Sequence, residues 1–136
     1  MSKYKAKQTV VDDIQFDSRL ESEYYIHLKE KEFKGEIQGF RLQPLFTLQE
    51  GFRKNGKWIR PILYKADFEI MHNDGSIEVV DVEGFVTKDF AIKKKMFEKN
   101  YPHTLTLVKY VKKFGGWVSE EEYKKRKKEE KKKINV

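Results

Sequence analysis

Cysteine is absent from the chain, and with it go disulfides, zinc-thiolate sites and cysteine nucleophiles. That absence fits a reducing compartment, and a cytoplasmic location is the expectation. Proline and histidine are scarce, at three residues each. His27, His72 and His103 share no metal-ligand spacing, so each is expected on a helix surface, turn or loop. No apolar run approaches the ~18 residues that mark a membrane span. The basic start, Met1 to Lys7, is not followed by the apolar core of a secretory signal. Walker, GxGxxG and Gly-x-Ser-x-Gly elements are also missing, which leaves nucleotide hydrolysis, nicotinamide chemistry and acyl transfer without support.

Charge is plentiful but unevenly placed. Residues 124–133 carry eight basic and two acidic side chains, so they hold +6 of the net +7 and leave the rest of the chain near +1. Such a tail suits a polyanion, because each neutralised phosphate releases condensed counterions. A solvated helix that only aids solubility is the competing reading. At 136 residues, 38% apolar and 14% aromatic, the chain has material for one domain with a modest core. Residues 1–118 read as that domain and 119–136 as a lysine-rich helical tail, with no linker or repeat.

Along the chain, a short strand is expected around Thr9-Val10-Val11. Ser18 followed by Glu21 matches a capping box, and Leu20, Tyr24 and Leu28 repeat as the buried stripe of a helix that Gly35 ends. Phe40, Leu42, Pro44, Phe46 and Leu48 alternate as one face of a long strand, with Pro44 marking an edge or a bulge. Glu50-Gly51 and Asn55-Gly56 punctuate a loop or hairpin end. A second long strand, about Trp58 to Ile70, places Ile62, Tyr64, Ala66, Phe68 and Ile70 on one face and Lys65, Asp67 and Glu69 on the other. Asp74-Gly75 predicts a type I′ hairpin turn into a third strand, Ile77 to Gly84. Thr87 predicts the cap of a helix over roughly Lys88 to Lys99. Leu105, Leu107 and Val108 supply a fourth strand, Gly115-Gly116 a break, and Ser119 with Glu122 a second capping box opening the tail.

Four acids stand out within this frame. Asp81 and Glu83 are two residues apart on a strand and so share a face. The Asp74-Gly75 hairpin folds the Asp67 strand back beside them, and the first helix can bring up Glu21. Carboxylates among core-forming residues need a positive partner. Hard oxygen ligands so arranged suit Mg²⁺ or Mn²⁺, which can acidify a bound water and polarise a phosphoryl oxygen. Each acid also has an ordinary reading: Glu21 as the capping-box acid, Asp67 on a half-exposed sheet face, Asp81 and Glu83 paired across the sheet with Lys65 or Arg41. Phe52 to Trp58 interleaves aromatic and basic residues, fit either to contact a nucleic-acid backbone or unstacked base, or to pack at a hairpin end.

Phe16-Asp17-Ser18-Arg19-Leu20-Glu21, Leu42-Gln43-Pro44, Tyr64-Lys65-Ala66-Asp67-Phe68 and Val80-Asp81-Val82-Glu83-Gly84-Phe85 together resemble a phage-encoded family of the PD-(D/E)XK nucleases. That family is similar to RecU-type Holliday-junction resolvases and to phage endonuclease I, and the likeness runs from about Lys3 to Val108. The resemblance implies an α/β, restriction-endonuclease-like core: a mixed four-stranded sheet with an antiparallel hairpin, flanked by helices. It also implies a metal-dependent endonuclease cutting branched or four-way DNA in recombination or replication, often as a homodimer, in the host cytoplasm if phage-encoded. By position, Glu21 matches the helix glutamate, Asp67 the PD-type aspartate and Asp81 the first acid of the D/E-x-K element. Glu83 stands where the family usually has lysine, although some restriction endonucleases carry glutamate there. Lys65, Lys88 or Lys93 would then supply the missing cation, Lys88 being the first choice. The alternative is a DNA-binding accessory protein with a degenerate nuclease site.

Overall fold

The structure, a computed structural model, describes residues 8–82 and 87–134. A small hairpin of β1 (Thr9–Val11) and β2 (Ile14–Phe16) leads into α1 (Arg19–Phe33). A long ribbon follows, outward through β3 (Gly39–Leu42), β4 (Leu45–Gln49) and β5 (Phe52–Lys54). It returns through β6 (Lys57–Ile59), β7 (Ile62–Lys65) and β8 (Phe68–Met71). Then come β9 (Ile77–Val82), α2 (Lys88–Asn100), β10 (Thr104–Val111), β11 (Gly116–Ser119) and α3 (Glu120–Ile134).

The main sheet is mixed and five-stranded, in the order β11-β10-β9-β8-β3. β9 and β10 run parallel, joined by α2 as a βαβ crossover, while the other neighbours pair antiparallel. Four strands were expected. The fifth is β11: Gly115 and Gly116, at φ +91 and +122, do not merely break the chain but turn it back along β10, setting Trp117 opposite Tyr110. A four-residue strand that itself begins on the second glycine is too short to show alternation.

The helix starts follow from their caps. Ser18 Oγ accepts the N–H of Glu21 at 3.0 Å, Thr87 Oγ1 that of Phe90 at 3.0 Å, and Ser119 Oγ that of Glu122 at 3.1 Å. Gly35, at φ +76, follows the end of α1 as expected. The turns differ from expectation. Asn55 and Gly56, at φ +51 and +74, form the type I′ turn at the β5–β6 tip. At Asn73-Asp74-Gly75 only Gly75 is left-handed, and the loop is the three-residue kind closed by His72 and Ser76.

The sheet has a core on each side. Phe16, Tyr24, Tyr25 and Leu28 pack against Phe68, Ile70, Val80 and Val82 on the α1 side. Phe97 packs with Leu48, Tyr64, Ala66, Val79 and Leu105 on the α2 side. Val79 and Val80 are both fully buried, so β9 is the central strand, covered on both faces.

The long alternation therefore does not describe one face. Tyr64 and Ala66 belong to the α2-side core, whereas Phe68 and Ile70 belong to the α1-side core. The outgoing strand does the same: Phe40 and Leu42 pack on the α1 side, Phe46 and Leu48 on the α2 side. The ribbon rolls over at Gln43-Pro44 and Ala66-Asp67. Gln43 takes φ +49, yet pairing persists, Gln43 N–H donating to the Asp67 carbonyl at 2.9 Å and Ala66 N–H to the Pro44 carbonyl at 3.0 Å. Pro44 sits at this irregularity on the outgoing strand, as its missing N–H requires.

Candidate functional site

The rollover positions the acids. Continuing the register Phe68↔Val80 by one residue sets Asp67 opposite Asp81. At that point side chains take over from the backbone ladder. Asp81 Oδ1 accepts the N–H of Asp67 at 2.9 Å, and Asp67 Oδ2 accepts the N–H of Val82 at 2.8 Å. Asp67 lies in the bend between β7 and β8, not within a strand as expected.

Asp81 is buried, at 7% exposure, and its Oδ2 accepts the hydroxyl of Tyr64. Burial pushes its carboxyl above the ordinary aspartate range, while the Tyr64 and Asp67 donors and the charge of Lys93 pull the other way. Lys93, from α2, also places its Nζ 6.0 Å from the centre of the Tyr64 ring. Of the candidate lysines it is the one whose charge reaches Asp81. Lys88 is exposed in the first turn of α2, and Lys65 is exposed at the end of β7.

Glu21 approaches from the α1 side. It shares a cavity of about 100 Å³ with Asp67, walled by Phe16, Leu42, Gln43 and Phe68. The structure thus brings Glu21 to Asp67 and Asp67 to Asp81, with Asp81 under Tyr64 on the α2 side. Among the described residues no three Asp, Glu or His side chains form a ready metal-holding group. Glu83 lies outside the described residues. The residue types suit a hard divalent ion nonetheless: Asp67 and Asp81 are carboxylates at opposed register positions, and carboxylate oxygens are the ligands such an ion takes. Mg²⁺ commonly takes only one or two protein carboxylates and fills its shell with water and phosphate oxygens.

Two participants escaped the sequence reading. Tyr64 passed as a core aromatic, and its place three residues before Asp67 was the only hint of more. Gln43 lines the Glu21–Asp67 cavity at the left-handed position of the rollover, and the Gln43-Pro44 dipeptide was its signal. The histidines stand apart from the site. His72 pairs with Glu78 at 2.8 Å, His27 packs near Tyr24 and Trp117, and His103 stacks on Tyr101.

The tail helix docks on the sheet edge. Lys109 and Glu120 pair at 2.9 Å, and Arg126 donates to the Phe114 carbonyl at 3.1 Å. No helix among the described residues is long and apolar enough to cross a membrane.

The chain belongs to the family DUF1064, described as a protein of unknown function, whose model matches residues 1–116. No curated protein matches the chain, and no solved structure does.

Proposed function

We propose that the protein is a divalent-metal-dependent endonuclease acting on branched DNA, with the hard ion held by Asp67 and Asp81. The observation that carries this reading is the mutual clamp at the ends of β8 and β9. The Asp67 N–H is tied to Asp81, and the Asp67 carboxylate is tied to the next residue of β9. A carboxylate pair fixed by backbone donors is preorganised for a cation and a scissile phosphate. Glu21, at the same cavity as Asp67, orients the attacking water or adds a ligand. Glu83 joins from the sequence position two residues beyond Asp81. When bound, a divalent ion supplies an acidified water and neutralises charge developing on the phosphate. Lys93 takes the place of the lysine that Glu83 replaces, and Tyr64 holds Asp81 in its orientation. Two copies on one four-way junction would cut opposing strands.

The burial of Asp81 and the acid at position 83 favour a second reading, a protein that binds branched DNA without cutting it. One assay separates the two: labelled four-way, flap and linear duplex DNA incubated with the full chain in Mg²⁺, Mn²⁺ or EDTA. Nicking in Mg²⁺ that is lost in EDTA and in both Asp67→Ala and Asp81→Ala supports the endonuclease. Binding without cleavage, with cutting gained on Glu83→Lys, supports the accessory protein. Cleavage unchanged in both aspartate variants removes the assigned site.

A further inference from the structure

Beyond the acids, the ribbon continues into a feature the cleavage site does not use. Residues 52–60 read Phe-Arg-Lys-Asn-Gly-Lys-Trp-Ile-Arg, with four cations and no acid. Every residue of β5 and β6 is exposed. Among the described residues no ion pair engages Arg53, Lys54, Lys57 or Arg60. The β5–β6 tip thus carries concentrated positive charge, while the body as a whole is close to neutral.

Trp58 has a built seat on this tip. A Cβ added to Gly51 would stand 2.4 Å from Trp58 Cζ2 and 2.7 Å from Cη2. The indole therefore rests where only glycine leaves room, yet it remains 55% exposed. An apolar ring held in place and left open to water, beside four cations and with Glu50 the one acid next to its seat, matches what a nucleobase needs: a stacking surface beside phosphate-neutralising charge.

We propose that the β5–β6 tip is a binding platform for unpaired nucleotides, with Trp58 stacking on a base and Arg53, Lys54, Lys57 and Arg60 contacting the flanking phosphates. The charge complementarity selects a polyanion over a second copy of this chain. The inference rests on the nuclease reading only for the choice of DNA as that polyanion. Its consequence is specificity: the tip favours DNA with exposed bases over fully paired duplex, because stacking needs an open base face.

The test is equilibrium binding in EDTA, where no cutting occurs, of the full chain to a short single-stranded oligonucleotide and to a blunt duplex of equal length. Trp58 and Trp117 are the two tryptophans of the chain. Single-stranded DNA should quench tryptophan emission in the wild type and not in Trp58→Phe, which assigns the signal. Trp58→Ala should weaken single-strand binding about tenfold with little change for duplex, and Trp58→Phe should retain most of it. Gly51→Ala, which unseats the indole without removing it, should weaken single-strand binding in the same direction. Replacing all four cations by Gln should flatten the salt dependence of single-strand binding by about 0.7 in log–log slope for each phosphate no longer neutralised.

Equal losses on single strand and duplex in Trp58→Ala, or no loss on either, overturn the proposal. So does concentration-dependent self-association that buries Trp58 while DNA leaves its emission unchanged. RNA of the same sequence serves as a second arm, and tighter binding to it keeps the stacking platform but rejects DNA as the ligand. A chain that binds as described and never cuts refutes the nuclease reading alone. One that cuts at Asp67 and Asp81 while Trp58→Ala binds normally refutes the platform alone.

Discussion

Asp67 and Asp81 face each other across β8 and β9 as the next pair in the ladder, yet no backbone-to-backbone bond joins them there. The N–H of Asp67 goes to the carboxylate of Asp81, and the carboxylate of Asp67 goes to the N–H of Val82. A carboxylate accepting from a backbone N–H makes a charge-assisted bond stronger than the neutral one it replaces. This exchange ends regular pairing where Gln43-Pro44 on the neighbouring strand also departs from it, and it leaves two acids at one point of the sheet.

The burial of Asp81 gives a stability prediction with a definite sign. Its carboxyl is held above the ordinary value of 3.8, so the ionised form destabilises the fold and the protonated form does not. Asp81→Asn should raise the thermal midpoint at neutral pH, because it removes the burial penalty on the ionised form. That gain should shrink as pH falls through the folded pKa and vanish below the unfolded value near 3.8. Mg²⁺ should raise the midpoint of the wild type and not of Asp81→Asn, since only the wild type gains ligand-linked stability. Calorimetry across pH, with and without the ion, checks both.

Removing the Tyr64 hydroxyl should act on the same carboxylate. Its donation lowers the Asp81 pKa, so in Tyr64→Phe that pKa rises further and the acid limb of the cleavage pH profile moves upward. Hydrogen bonds to charged groups are worth about 1.5–3 kcal/mol, and urea denaturation at neutral pH should show a loss of that order. A role for Tyr64 confined to packing would leave the pH profile in place.

Phe97 has no exposed surface and packs its ring against Phe46, Tyr64 and Tyr101. Phe97→Ala should destabilise the fold by about 3–5 kcal/mol. Because Phe97 supports Tyr64, cleavage should also fall under conditions where the variant remains folded by circular dichroism.

The tail should contribute charge and not fold. Arg126 anchors α3 to the Phe114 carbonyl and pairs with Glu122 one turn back along the same helix, and Lys127 approaches Glu130. Replacing Lys124, Lys125, Lys128, Lys131 and Lys132 by Gln while sparing those two should change stability by less than about 0.5 kcal/mol. Affinity for duplex DNA should fall, and its log–log salt slope should flatten by about 0.9 for each phosphate the tail ceases to neutralise. Fluorescence anisotropy at several salt concentrations measures both.

Local chemistry made much of the fold legible. Ser18, Thr87 and Ser119 each cap the helix expected of them, because a cap is set by the hydroxyl and the next few N–H groups alone. Gly35 ends α1 for an equally local reason. Asn55-Gly56 and Asp74-Gly75 were both recognisable as turns, but which one took the type I′ form depended on the strands beside it.

Alternation in residues 40–48 and 62–70 announced two strands with an apolar side, and composition separated a near-neutral body from a basic tail. What alternation could not encode is which side of the sheet an apolar residue meets once a strand has rolled over. Period-two patterning is identical before and after the bend at Ala66-Asp67, so Tyr64 and Phe68 look equivalent in sequence and lie in different cores. Only pairing with β9 sets Asp67 against Asp81, and only the packing of α2 brings Lys93 rather than Lys88 toward that carboxylate. These contacts join residues far apart in the chain, and they form only when both faces of the sheet are covered at once.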